Sequence, residues 1–196
     1  NPQFTAVRLP YRVQADEAEA QQAMDFIDAD IDRTLNIAGG VDGLADAFAE
    51  ATGEPITDYN KGNVKARVRM VAQYAIANFT NGLVVGTDHG AEAVAGFFTK
   101  FGDGACDIAP LSGMIKTQVR EMALVLGAER DMAYKVPTAD LEELDPGKPD
   151  ETAFGYSYEE IDAFLLGQQV EPRVEALIIA QYEKTAHKRV LPYSPV

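Results

Sequence analysis

The chain has 196 residues, 46% of them hydrophobic and 24% charged, with a formal net charge of −14 and one cysteine. That balance fits one globular domain with a real core, and the acid excess repels polyanions, which argues against nucleic acid as a partner. The lone Cys106 excludes an internal disulfide framework and suits a reducing, cytoplasmic compartment; no apolar run approaches the roughly 18 residues of a membrane helix, so no membrane role is expected.

In chain order, FTAVRL predicts a strand over 5–9. A helix follows over 15–27, with acids early and Met24, Phe26 and Ile27 late. A second strand is expected over 33–37 and a helix over 41–51, where Leu44, Ala47, Phe48 and Ala51 recur at helical spacing. Residues 62–78 form a long helix whose Val64, Val68, Val71, Ala75 and Ile76 make an apolar stripe. A strand over 82–86 comes next, then helices over 115–126 (stopped by Gly127), 158–166 and 174–184. Strands alternating with helices predict an α/β domain with a parallel sheet and crossover helices, a single unit over 1–196. Residues 137–152 (PTADLEELDPGKPDET) break the pattern; composition fits a solvated acidic connection, and length fits a mobile lid.

The richest window is 82–107, GLVVGTDHGAEAVAGFFTKFGDGACD. A buried strand stops at Thr87-Asp88, a pair suited to cap a helix, and Glu92 falls one turn after Asp88. Ligands of open α/β sheets bind outside the carboxyl ends of strands. Lys100, Gly102, Asp103, Gly104 and Asp107 add a second turn-rich segment. Hydroxyl, carboxylate and ammonium groups thus stand beside glycine-freed backbone, which suits a nucleotide, its metal and its phosphates. From spacing alone Glu92 fits an exposed helical glutamate better than a metal ligand. Phe97, Phe98 and Phe101 read as core, and His89 as structural.

Five blocks together resemble a known family: RLPYRVQADE (8–17), GNVKARVRMVAQYAIA (62–77), VGTDHGAEAVAGFFTKFGDGACD (85–107), PTADLEELDPGKPDET (137–152) and TAHKR (185–189). In collinear order over the whole chain they resemble ammonia-dependent NAD synthetases. The resemblance implies a Rossmann-like parallel sheet flanked by helices and a ligase. In that family ATP adenylates the nicotinate carboxylate of deamido-NAD, and ammonia displaces AMP to give NAD.

It further implies that Thr87, Lys116 and Thr138 contact ATP, with Arg8 and Gln14 near the adenine, and that Glu92 ligates Mg2+. Arg67, Lys100, Asp107, His187 and Lys188 match deamido-NAD contacts. Lys116, at a helix start, is expected to join helix-end N–H groups on phosphate oxygens. The family forms homodimers, and the helix over 62–78 is the expected interface element. Asp88 reads as a cap or as support for its neighbours.

The family's S-G-G-x-D-S phosphate loop is absent from these residues. Ala38-Gly39-Gly40-Val41-Asp42-Gly43 imitates it but lacks both serines and follows the RLPYRVQADE block, so it reads as a glycine turn after the second strand. The loop and first strand are therefore expected upstream of Asn1. Arg12 stands where many relatives carry a small residue. Two other readings stay open: a truncated, non-catalytic nucleotide-binding homodimer, and a related ATP pyrophosphatase ligase.

Overall fold

The TAVR run forms β1 (Thr5–Arg8), which pairs in parallel with β2 (Ile31–Thr34), Thr5 opposite Ile31 and Arg8 opposite Thr34. Parallel neighbours need a crossover, and α1 (Glu17–Ile27) supplies it. Glu17 and Glu19 sit in its first turn, where carboxylates complement the helix dipole, and Asp28 ends it in the left-handed region at φ 47°. The computed structural model describes residues 3–14, 16–138, 147 and 149–190.

The second strand lies two residues earlier than 33–37. Register explains the shift: β1 closes the ladder at Thr34, although the Leu35 N–H still donates to Arg8 O (2.9 Å) and the Ile37 N–H to Pro10 O (2.9 Å). Ile37, 1% exposed, leads instead into α2 (Ala38–Thr52) and packs with Tyr11 and Val41. The 38–43 sequence is therefore no turn but the opening of that helix. A Cβ on Gly40 would lie 3.0 Å from Val68 Cγ1, so the glycine lets α2 approach α3 (Asp58–Thr80) closely.

The expected stripe on α3 is half-buried at Val64, Val68 and Ile76 and open at Val71 and Ala75. Val64 and Val68 pack against the Tyr11, Ile37 and Val41 cluster, whereas Val71 is 60% exposed and Ala75 lies open. Length is the reason. At about 1.5 Å per residue, 23 residues outrun the 15 of α2, and Gly40 near the α2 start already faces Val68. Phe79, on the same stripe, is 88% exposed.

The expected strand over 82–86 is reduced to one parallel bridge, Val85 with Ile108. Val84 O accepts from the Asp107 and Ile108 N–H groups (2.9 and 3.1 Å), and the Gly86 N–H donates to Ile108 O (2.8 Å). The backbone is extended, but this pairing is too short to make a ladder.

Seven helices follow among the described residues: α4 (Gly90–Ala95), α5 (Lys116–Val125), α6 (Arg130–Ala133), α7 (Asp150–Phe154), α8 (Tyr158–Leu165), α9 (Pro172–Lys184) and α10 (Ala186–Arg189). Their core joins Ala91 and Ala95 of α4 to Tyr158 and Ile161 of α8 and Val174 and Ile178 of α9. Phe154 packs edge-on against Phe97 (5.6 Å) and Tyr158 (5.6 Å). Phe97 and Phe101 depart from the core reading: Phe97 is 37% exposed although it meets Phe154, and Phe101 is exposed with φ 57°, in the turn that re-aims the chain. Thr138 bridges Pro149 in antiparallel fashion, and the Asp150 N–H donates to Pro137 O (3.1 Å). The lid reading falls mostly on 139–146 and 148, outside the described residues. No helix among the described residues is long and apolar enough to cross a membrane.

Candidate functional site

The extended 84–86 backbone aims Thr87 and Asp88 at a polar cleft, and α4 starts one residue later than the Thr-Asp pair predicts. Its cap is His89, not Asp88. The His89 Nδ1 accepts from the Glu92 N–H (3.4 Å), and Glu92 Oε2 accepts from the His89 N–H (3.1 Å), a reciprocal capping box. His89 is thus the structural residue expected. Its Nε2 also comes within 3.2 Å of Glu92 Oε1, out of line for a hydrogen bond. Lys116 Nζ stands 3.7 Å from the same oxygen. Burial pushes the Glu92 carboxyl up, but the adjacent His89 ring, the Lys116 charge and the hydrogen bond from the His89 backbone N–H prevail and hold it below its ordinary value. Asp88 goes the other way: burial, then the Glu92 and Asp103 charges, raise it.

The start of α5 differs from the expectation. The Lys116 and Thr117 N–H groups donate to the Asp162 carboxylate (3.0 and 2.7 Å), and the Ile115 N–H to Gln118 Oε1 (3.1 Å). A protein carboxylate thus takes the helix end that was assigned to phosphate, because the helix's orphan donors were near enough to α8 to be satisfied internally. Only the Lys116 ammonium still faces the Glu92 side, resting 4.9 Å over the Tyr158 ring.

The residues matched to ATP fall in two neighbouring clefts. Arg8, Gln14 and Thr87 line one of about 340 Å³ with Asp88, Asp103 and Gly104. Lys116 and Thr138 line another of about 410 Å³ with Arg120 and Lys135. Asp16 lines both. Arg8 is paired with Glu17 at the cleft wall. A Cβ on Gly104 would fall 2.1 Å from Asp88 Oδ2, so the glycine makes room for that carboxylate.

The residues matched to deamido-NAD are brought together in part. Arg67 Nη2 donates to Lys100 O (3.3 Å), and Lys100 Nζ donates to His187 O (2.5 Å). Lys188 adjoins them, but its ammonium donates to Gly96 O and Phe98 O (both 2.8 Å), and burial pushes its pKa down. Asp107 serves a separate contact, accepting from the Val84 N–H at 2.8 Å.

Reading the sequence missed Tyr158, Asp162 and Asp16. Asp162 carried a usable signal: it lies with Tyr158 and Ile161 on the apolar face of α8 and is only 4% exposed, where an acid needs partners. Among the described residues no three histidine, cysteine, aspartate or glutamate side chains converge to hold a metal by themselves. The donor chemistry still fits a hard cation of the magnesium type, which takes one or two carboxylates and completes its shell with water and substrate phosphates. Asp88 lines the first cleft, and Glu92, beside Asp88 and 3.7 Å from Lys116 Nζ, offers further oxygens of this kind.

Comparison with known proteins adds the family. The NAD synthase family model matches residues 1–192. The "NH(3)-dependent NAD(+) synthetase" of Stutzerimonas stutzeri (strain A1501) is 59% identical over 196 residues, covering 98% of this chain and 70% of that protein. The NAD+ synthetase structure from Burkholderia pseudomallei superposes with a TM-score of 0.78 at 45% identity, over 97% of this chain and 70% of the other. A structure described as NMN synthetase, from Francisella tularensis, gives 0.84 at 36% identity, over 97% and 78%.

Proposed function

The chain belongs to the NAD synthase family, and from that membership we propose that it acts as an ammonia-dependent NAD+ synthetase, a ligase that uses ATP to turn the nicotinate carboxyl of deamido-NAD into a carboxamide. A carboxylate is a poor electrophile; adenylation converts it to an acyl group with AMP as leaving group, and ammonia then displaces AMP. The single observation that carries the reading is that residues matched to ATP from four separate stretches of sequence line two clefts sharing Asp16, with Glu92 held beside Lys116.

In this reading Arg8 and Gln14 meet the adenine, Thr87 the nucleotide, and Lys116 and Thr138 the phosphates. A magnesium ion at Glu92 supplies charge neutralisation for the departing pyrophosphate. Arg67, Lys100 and His187 form the side that meets the anionic dinucleotide, with Asp107 and Lys188 adjoining. With a net charge of −14 the protein's mean field opposes such substrates, so these local cations are what recruits them. The two-stranded parallel sheet fits the flank of a Rossmann-like sheet whose phosphate loop is the S-G-G-x-D-S element, within one domain spanning 1–196. The apolar run of α3 beyond α2, with Val71 and Phe79 open, supports a homodimer. The acidic 137–152 segment is the lid that keeps water from the acyl-adenylate, and the lone cysteine fits a cytoplasmic enzyme.

The test is calorimetric titration of the wild type and Lys100→Ala with ATP, deamido-NAD and the corresponding mononucleotide. Lys100→Ala should weaken deamido-NAD about tenfold and ATP less than about twofold, as expected for loss of one charge-assisted contact. Equal weakening of both ligands overturns the Lys100 assignment. Tighter binding of the mononucleotide than of deamido-NAD moves the substrate to the class named for the Francisella protein.

A further inference from the structure

One helix reaches Lys116 from two directions. α8 begins with its own capping box, the Ser157 N–H donating to Glu160 Oε2 (2.7 Å) and the Glu160 N–H to Ser157 Oγ (3.1 Å), so its first turn is fixed. Tyr158 and Asp162 follow one turn apart on one face, and both are buried. Asp162 holds the backbone of Lys116 and Thr117 with both carboxylate oxygens. The Tyr158 ring lies 4.9 Å beneath the Lys116 ammonium and edge-on to His89, the cap of the helix that carries Glu92. Tyr158 is itself tied to α7: its N–H donates to Glu151 Oε1 (2.9 Å) and its hydroxyl to Asp150 Oδ2 (3.1 Å).

We propose that Tyr158 and Asp162 are positioning residues that set the Lys116 ammonium against Glu92 by fixing both ends of the lysine side chain. A lysine has four rotatable bonds and a mobile head, so anchoring its backbone alone leaves the ammonium free to wander. Anchoring the root through Asp162 and seating the cation on an aromatic face removes most of that freedom. Asp162 fits this role better than plain packing, since an acid on a buried face is costly and both oxygens of this one go to α5. Because Asp150 directly follows Pro149, the partner of Thr138 in the bridge that closes the acidic segment, Tyr158 also links that segment's base to the lysine. The functional weight of the arrangement rests on reading Lys116 as an ATP contact.

The test separates the two. Lysine acylation followed by mass spectrometry reads the exposure of Lys116, with Lys184 on the outer face of α9 as internal reference. Tyr158→Leu should raise Lys116 labelling about threefold and Asp162→Asn about twofold, as expected on losing a cation–aromatic seat or one cap contact, while Tyr158→Phe, which keeps the ring, stays at the wild-type level. Unchanged labelling in Tyr158→Leu and Asp162→Asn overturns the proposal; should the leucine variant fail to fold, Asp162→Asn decides. In parallel, Tyr158→Leu should weaken ATP about tenfold in the wild type and less than about twofold in Lys116→Ala, the non-additivity of residues acting through one another. Equal losses in both backgrounds also overturn it. If Lys116→Ala binds ATP like the wild type, the nucleotide role of Lys116 falls, and the labelling still decides the positioning.

Discussion

On their inner faces α8 and α9 meet buried polar groups that hold one another, whereas the far half of α3 and the 83–85 backbone leave apolar surface in the open. In the first region Asp162, Thr185 and His89 are buried with named partners, and Tyr158, Ile161 and Ile178 are fully enclosed. In the second, Val71, Phe79, Leu83 and Val85 face outward beside a sheet of two strands. The difference separates two jobs. Buried polar contacts fix geometry, because each broken one leaves an unsatisfied group. Open apolar surface fixes nothing by itself and gains its energy only when covered.

Four substitutions probe that contrast. The largest effect is expected at Gly96, which has φ 60° and whose added Cβ would fall 2.1 Å from Thr185 Oγ1. Gly96→Ala should cost about 3–4 kcal/mol in urea unfolding, the sum of overpacking and a left-handed alanine. A loss under about 1 kcal/mol would mean that the α4–α9 junction yields more easily than its geometry indicates. Next comes a matched pair: Ile178→Ala, at a 0% exposed site, should cost about 3 kcal/mol, and Val71→Ala, at a 60% exposed site, less than about 0.5 kcal/mol in dilute protein. If the cost of Val71→Ala grows with protein concentration, the open stripe is an interface.

The smallest effect is in acid. The folded Glu92 carboxyl sits below its ordinary 4.5, so its stabilisation is complete above that pH and is lost as pH falls through the lowered value. Asp88 has the opposite sign: its value is raised above 3.8, so protonation as pH falls through the raised value relieves a cost. Glu92→Gln should therefore lose less stability than the wild type below about pH 4.5 in denaturant titrations at stepped pH. An identical acid profile would show that the His89–Glu92–Lys116 contacts add nothing.

Periodicity placed α2, α3, α5, α8 and α9 within a few residues, because each carries an apolar face long enough to show its repeat. It failed at 38–43, where a glycine pair after a strand looks the same whether it opens a loop or lets one helix press on another; only the contact with Val68 decides. It also overstated the 82–86 strand, since an apolar run specifies extended backbone but not how much of a ladder it meets. For the candidate site, the family resemblance led to Glu92 and Lys116, while Asp162 showed only as an acid on an apolar face: its partner, 46 residues away, leaves no local pattern. Lys188 shows the converse: its charge is visible in the sequence, its use on Gly96 O and Phe98 O is not.

That last contact has a consequence for the order in which the protein is made. α4 has only six residues, and part of its carboxyl end is closed by cations that come about ninety positions later, Lys188 on Gly96 O and Arg189 on Ala93 O. During synthesis those carbonyls wait until more than ninety further residues have been made. The helix that bears Glu92 is then closed only after those cations emerge, and a ribosome paused before Lys188 holds a chain whose Glu92 corner is still unfinished.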